Sequence, residues 1–62
     1  MNKYFVLYNT TKNVVIITVV GVTISGEFVD QCTRPSLKDA TLTARLLSNK
    51  HNGCGVVHAL HE

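Results

Sequence analysis

Apolar and polar residues fall into blocks along this chain, and the blocks differ in period. Lys3 to Tyr8 (K-Y-F-V-L-Y) is aromatic and β-branched and reads as a strand. Asn9 to Asn13 is polar throughout and has the length of a hairpin turn. Val14 to Ile24, almost entirely β-branched, reads as a second strand, bent or bulged at Gly21. Ser25-Gly26 then either closes a tight hairpin, with Glu27 to Asp30 as a short third strand, or opens an irregular crossover that runs to Pro35. Pro35 introduces a helix. Ser36 supplies a capping hydroxyl three residues before Asp39, and Asn52-Gly53 provides the left-handed stop. Asp39 sits near the positive end of the helix dipole, with Lys50 and His51 near the negative end. Gly55 to His61 reads as a last short strand. The order β-β-(β)-α-β predicts a single α+β domain over residues 1–62, a small antiparallel sheet with one helix packed on one face.

Strand side chains alternate between faces, so each strand can be read twice. In the second strand the even positions Val14, Ile16, Thr18, Val20, Val22 and Ile24 stay apolar longest, which assigns them to the core beneath the helix. The odd positions Val15, Ile17 and Val19 are apolar as well, and the first strand adds Tyr4, Val6 and Tyr8 to their side. One helix covers one face, and a solvated antiparallel face ordinarily alternates with polar residues. Tyr4, Val6, Tyr8, Val15, Ile17 and Val19 are therefore expected to form an open apolar patch of a few hundred Å², a size that marks a contact surface. Its cover is the loop from Glu27 to Arg34, a second copy packed sheet to sheet, or a different protein. On this assignment Ile17→Asp abolishes partner binding and leaves the helix intact.

On a helical wheel Leu37, Ala40, Ala44 and Leu47 form one stripe, with His51 in line, and that stripe faces the sheet. Leu42 and Leu46 lie on the other side among Lys38, Asp39, Arg45 and Asn49. Residues four apart are neighbours on a helix, so this pair can anchor a partner, with Arg34 and Arg45 as rim contacts.

Composition narrows the function classes. With 62 residues and 6.8 kDa there is little room for an active site with a supporting shell, so an enzyme is not expected. The 45% hydrophobic and 16% charged content excludes a disordered chain. A net charge of +2 is too basic for an acidic nucleic-acid mimic. The cations Lys3, Lys12, Arg34, Lys38, Arg45 and Lys50 are dispersed and carry no nucleic-acid-binding signature, so nucleic acid is possible but not favoured as a partner. The apolar runs are shorter than the about 20 residues a spanning helix needs, and no signal-peptide core is present. A cytoplasmic location follows as the expectation, with Cys32 and Cys54 as thiols.

His51, Cys54, His58 and His61, with Cys32 upstream, suggest zinc at first sight. On a strand, however, His58 and His61 point to opposite faces, and Cys54 lies about 13 Å from His58 at roughly 3.3 Å per residue. Neither a metal nor another cofactor is expected. Cys54 beside His51 lacks an oxyanion hole, so nucleophilic catalysis is not expected either.

No residue motif assigns a family. In size and layout the chain resembles the compact β-β-α-β proteins that bacteriophages use to block a larger host enzyme or neutralise a defence toxin. That resemblance implies an inhibitor or modulator in the host cytoplasm, acting on a polymerase, nuclease or defence factor. The alternative is a homodimeric, weakly basic nucleic-acid-binding or regulatory protein.

Overall fold

The structure, a computed structural model, describes residues 3–60. The elements are β1 (Tyr4–Asn9), β2 (Val14–Val19), β3 (Phe28–Arg34), α1 (Leu37–Lys50) and β4 (Gly55–Ala59). One helix lies on a four-stranded sheet of order β3-β1-β2-β4, so the α+β class holds. The sheet is mixed rather than antiparallel: β1 is antiparallel to both β2 and β3, while β2 and β4 run parallel.

The β1–β2 hairpin is organised by Asn9, a fully buried polar residue. Its side-chain oxygen accepts the Lys12 N–H at 2.8 Å, and its backbone carbonyl accepts the Asn13 N–H at 2.9 Å. Asn13 takes the left-handed conformation that reverses the chain, with φ 57°. The Asn9 amide nitrogen donates to the Ser25 carbonyl at 3.1 Å, so the same side chain also anchors the segment that follows β2.

That segment decides the topology. β2 stops at Val19, well short of Ile24, and Gly21 adopts φ 96°. Since β2 and β3 both run antiparallel to β1, they are parallel to each other, and no tight hairpin can join them. Residues 20–27 instead form a strap across the sheet. Ile24 lies over that face, lining one cleft with Leu7 and another with Ile16, and both of these residues are buried. The strap is pinned where Thr10 N–H donates to the Glu27 carbonyl and Glu27 N–H to Thr11 Oγ1, at 2.9 and 3.2 Å. Gly26, at φ 91°, passes so near that a Cβ there would meet Thr11 Oγ1 at 3.0 Å.

The helix covers the other face, and this reverses the face assignment made from the sequence. Val6, Val15 and Ile17 are fully buried and pack with Ala40, Ala44 and Leu47. Tyr4 and Tyr8 are half-buried against the same cluster, and Val19 is half-buried at the end of β2. Of the six residues expected as an open patch, Tyr4, Val6, Tyr8, Val15 and Ile17 are thus on the helix side of the sheet, whereas Val19, at the end of β2, lines the cleft beside the strap with Phe5 and Leu7. The cause is the early end of β2. Val20, Val22 and Ile24 made the even face look longest, yet they belong to the strap, and Val20 is 74% exposed. Within the true strand, Val15, Ile17 and Val19 are all apolar, whereas the even set contains Thr18. Residues 27–34 do not cover a face; most of them form the edge strand β3 beside β1.

Helix ends follow the sequence signals. The Ser36 hydroxyl accepts the Asp39 N–H at 3.2 Å. Asn52 and Gly53 are both left-handed, and Gly53 N–H closes on the Ser48 carbonyl at 2.8 Å. Leu37 lies in the first turn, outside the buried stripe that begins at Ala40. β4 ends at Ala59, and His61 lies outside the described residues.

Two substitutions test this core. Ile17→Asp should remove the cooperative thermal transition and the helical circular dichroism together, because a carboxylate beneath α1 has no water and no partner. Asn9→Ala should lower the unfolding free energy by about 1–3 kcal/mol in urea denaturation, since it strands the Lys12 N–H and the Ser25 carbonyl.

Candidate functional site

With both sheet faces covered, the exposed apolar residues of the helix stand out. The inner stripe Ala40, Ala44 and Leu47 is buried, and Ser48 beside it donates to the Cys54 carbonyl. On the outer side Leu42 is 50% and Leu46 72% exposed, one turn apart, where the wheel places them. Leu37 and Lys38 precede them, and Arg45 lies between; Leu37, Lys38, Thr41, Leu42 and Arg45 line one shallow groove. Thr41, which also lines the groove, turns its hydroxyl back onto the Leu37 carbonyl at 2.8 Å. The surface is thus a leucine strip edged with cations.

Arg34 is brought to the same helix but is already engaged. Its Nε donates to Thr43 Oγ1 at 2.8 Å and a terminal nitrogen donates to the Thr33 carbonyl, also at 2.8 Å. It ties the end of β3 to α1. Of the residues expected to bind a partner, Leu42, Arg45 and Leu46 share the outer helix face, and Arg34 braces the helix from β3. Tyr4, Val6, Tyr8, Val15 and Ile17 pack in or against the core beneath the helix, and Val19 lines the cleft beside the strap. Lys38 and Leu37 complete the surface; the sequence placed Leu37 in the inner stripe, whereas in the structure it is exposed and lines this groove.

A second cluster gathers at the helix C-terminus. The His51 ring stacks on Tyr8, centroids 3.6 Å apart and planes 2° from parallel. His51 Nε2 lies 3.2 Å from Asp30 Oδ2, and Lys50 Nζ donates to that same oxygen at 3.2 Å. The Tyr8 hydroxyl donates to Asn13 Oδ1. Asp30 occupies the β3 irregularity, where the register passes from Val6↔Cys32 to Tyr8↔Val29 and one extra residue is accommodated. Its φ is 58°, a conformation that Asp and Asn tolerate better than most residues. Donation from Lys50, then from His51, holds the Asp30 carboxyl below its ordinary value of 3.8. The members of the cluster bond to one another at the surface, and the cluster acts as a clasp between β3 and α1. Its members are 20 and 21 residues apart from Asp30 in sequence, so no local pattern announces it.

Among the described residues, no three His, Cys, Asp or Glu side chains come together as metal ligands. Cys32 and Cys54 are separate thiols, each half-buried against the core. No helix of the described residues is long and apolar enough to cross a membrane. Comparison with known proteins finds no matching family model, curated protein or solved structure.

The clasp gives a pH prediction. A carboxyl whose folded pKa is depressed contributes stability that is fully present above the unfolded value and is lost as pH falls through the folded value. Acid should therefore weaken the fold below about pH 4. Asp30→Asn keeps the left-handed preference and removes the charge, so urea midpoints for this variant should fall less over that acid range than those of the wild type.

Proposed function

We propose that this chain is a small protein-binding module, an inhibitor or modulator that docks a larger protein through the outer face of α1. The observation that carries this reading is the exposed pair Leu42 and Leu46, one turn apart, on a chain whose two sheet faces are already occupied by its own helix and strap. Leu42 and Leu46 serve as apolar anchors. Lys38 and Arg45 form a basic rim, which favours a partner surface carrying Asp or Glu around an apolar depression. The scale of the contact sets a further requirement. Burying a leucine is worth about 1.5–3 kcal/mol, whereas micromolar affinity needs roughly 8 kcal/mol. The leucine pair alone is insufficient, so the charged rim must contribute to both affinity and orientation.

The likeness in layout to phage proteins that block host enzymes is what suggests a larger enzyme as the target and a cytoplasmic setting. A binding role is favoured over catalysis because the Tyr8–His51–Asp30 cluster spends its polar atoms on internal bonds. Nucleic acid is less favoured: Lys50 pairs with Asp30, Arg34 is held by Thr43 and Thr33, and Lys38 and Arg45 flank leucines rather than forming a continuous track.

Immobilised wild-type chain, exposed to extract from its source cell, identifies the partner; titration calorimetry on the purified pair then tests the surface. Leu42→Asp with Leu46→Asp should weaken binding by at least about 100-fold, at ~1.4 kcal/mol per factor of ten, with helical circular dichroism unchanged. Arg45→Glu should weaken it more modestly and flatten its salt dependence. A partner that binds the double variant with wild-type affinity would rule out this surface. Retention of nucleic acid instead, with affinity falling steeply in salt, would favour the alternative reading.

A further inference from the structure

The sheet order leaves one side of β3 and one side of β4 without a neighbour among the described residues. The two edges are built differently. β3 carries the irregularity at Asp30 with its left-handed φ of 58°, bears Asp30 and Arg34, and is followed at once by Pro35. Bulges, charges and prolines are the devices by which an edge strand refuses another strand. β4 has none of them. Gly55–Ala59 runs in unbroken register along β2. Residues 53–60 contain no proline, Asp, Glu, Lys or Arg, and Val56 and Val57 are 37% and 43% exposed on opposite faces.

We propose that β4 pairs antiparallel with β4 of a second copy, about a two-fold axis at Val57, to make one continuous eight-stranded sheet. An open row of backbone donors and acceptors is satisfied most fully by another extended backbone. Within this chain the alternative strand is β3, whose bulge breaks the ladder, so β4 itself is what a second copy has to offer. The register that uses the whole strand is centred on Val57. Val57 then meets Val57 of the other copy, Val56 meets His58, and Gly55 meets Ala59. Each pair shares a face, as antiparallel pairing requires. No Lys, Arg, Asp or Glu comes opposite another within the paired strands, because Gly55–Ala59 contains none of them.

The assembly closes at two. Both outer edges of the joined sheet are bulged β3 strands, so growth ends there. It is also weak. A five-residue strand pair buries less than the ~1,200–2,000 Å² of a standard interface, so the dimer dissociates on dilution. The outer face of α1 stays free in the pair, and the inference stands whether or not that face docks a partner.

Light scattering across a micromolar-to-millimolar series tests this directly. Mass should rise from 6.8 kDa towards twice that value as concentration increases. Val57→Lys sets two cations against each other on the axis and should stay at single-chain mass at every concentration. Val57→Glu should behave likewise, and an equimolar mixture of the two variants should recover the doubled mass. Wild-type chain that remains single at millimolar concentration overturns the proposal, as does a dimer that survives Val57→Lys. Amide hydrogen exchange on the wild type needs no variant to fold: protection within Gly55–Ala59 should increase with concentration, and an unchanged pattern overturns the proposal as well.

Discussion

Ile16 and Ile17 are adjacent on β2, point to opposite faces of the sheet, and are both buried. A two-sided apolar strand of this kind needs cover above and below, and a chain of 62 residues has little material for it. The helix supplies one layer over Val15 and Ile17, and the strap at residues 20–27 supplies the other over Ile16 and Leu7. Strand directions explain this division. β2, β3 and β4 all run the same way, so the chain crosses the sheet twice, once from β2 to β3 and once back from β3 to β4. Crossovers in opposite directions have the same hand only when they lie on opposite faces, and one hand is strongly preferred.

Polar residues make this arrangement close. Asn9 is buried at the meeting point of hairpin and strap, and its amide joins a turn N–H to a strap carbonyl. Asp30 has a comparable double role at the far side of the sheet. Its backbone bends β3 out of regular register, and its carboxylate holds Lys50 and His51 at the end of α1. A local disruption of the ladder is thereby turned into a tie between edge strand and helix. The ion pairs themselves are exposed and screened by solvent, so their role is mainly to fix geometry.

Once both faces are covered, the apolar groups left in solvent identify the surfaces able to meet other molecules. Besides Val20 in the strap and Phe28 and Val29 on β3, they fall on the outer turns of α1 and along β4, and these last two surfaces differ in chemistry. Side chains would recognise a partner at Leu42, Leu46 and Arg45, where specificity comes from shape and charge. Backbone would do so at β4, where another extended segment is the natural complement. Neither surface includes a residue of the buried core.

The sequence alone determined what is local. Ser36 and Asn52-Gly53 marked the helix ends, the polar block after β1 marked the hairpin, and the heptad-like spacing separated Ala40, Ala44 and Leu47 from Leu42 and Leu46. Each of these depends on backbone geometry within a few residues, which side-chain type reports directly. Which face of the sheet the helix would cover depended on where β2 ends, and an unbroken β-branched run from Val14 to Val20 hides that end. The parallel placement of β4, the strap, and the approach of Asp30 to Lys50 and His51 are pairings between distant segments. They were decided by burial of both faces and the hand of the crossovers, constraints that act on the assembled sheet and leave no mark on any short stretch of chain.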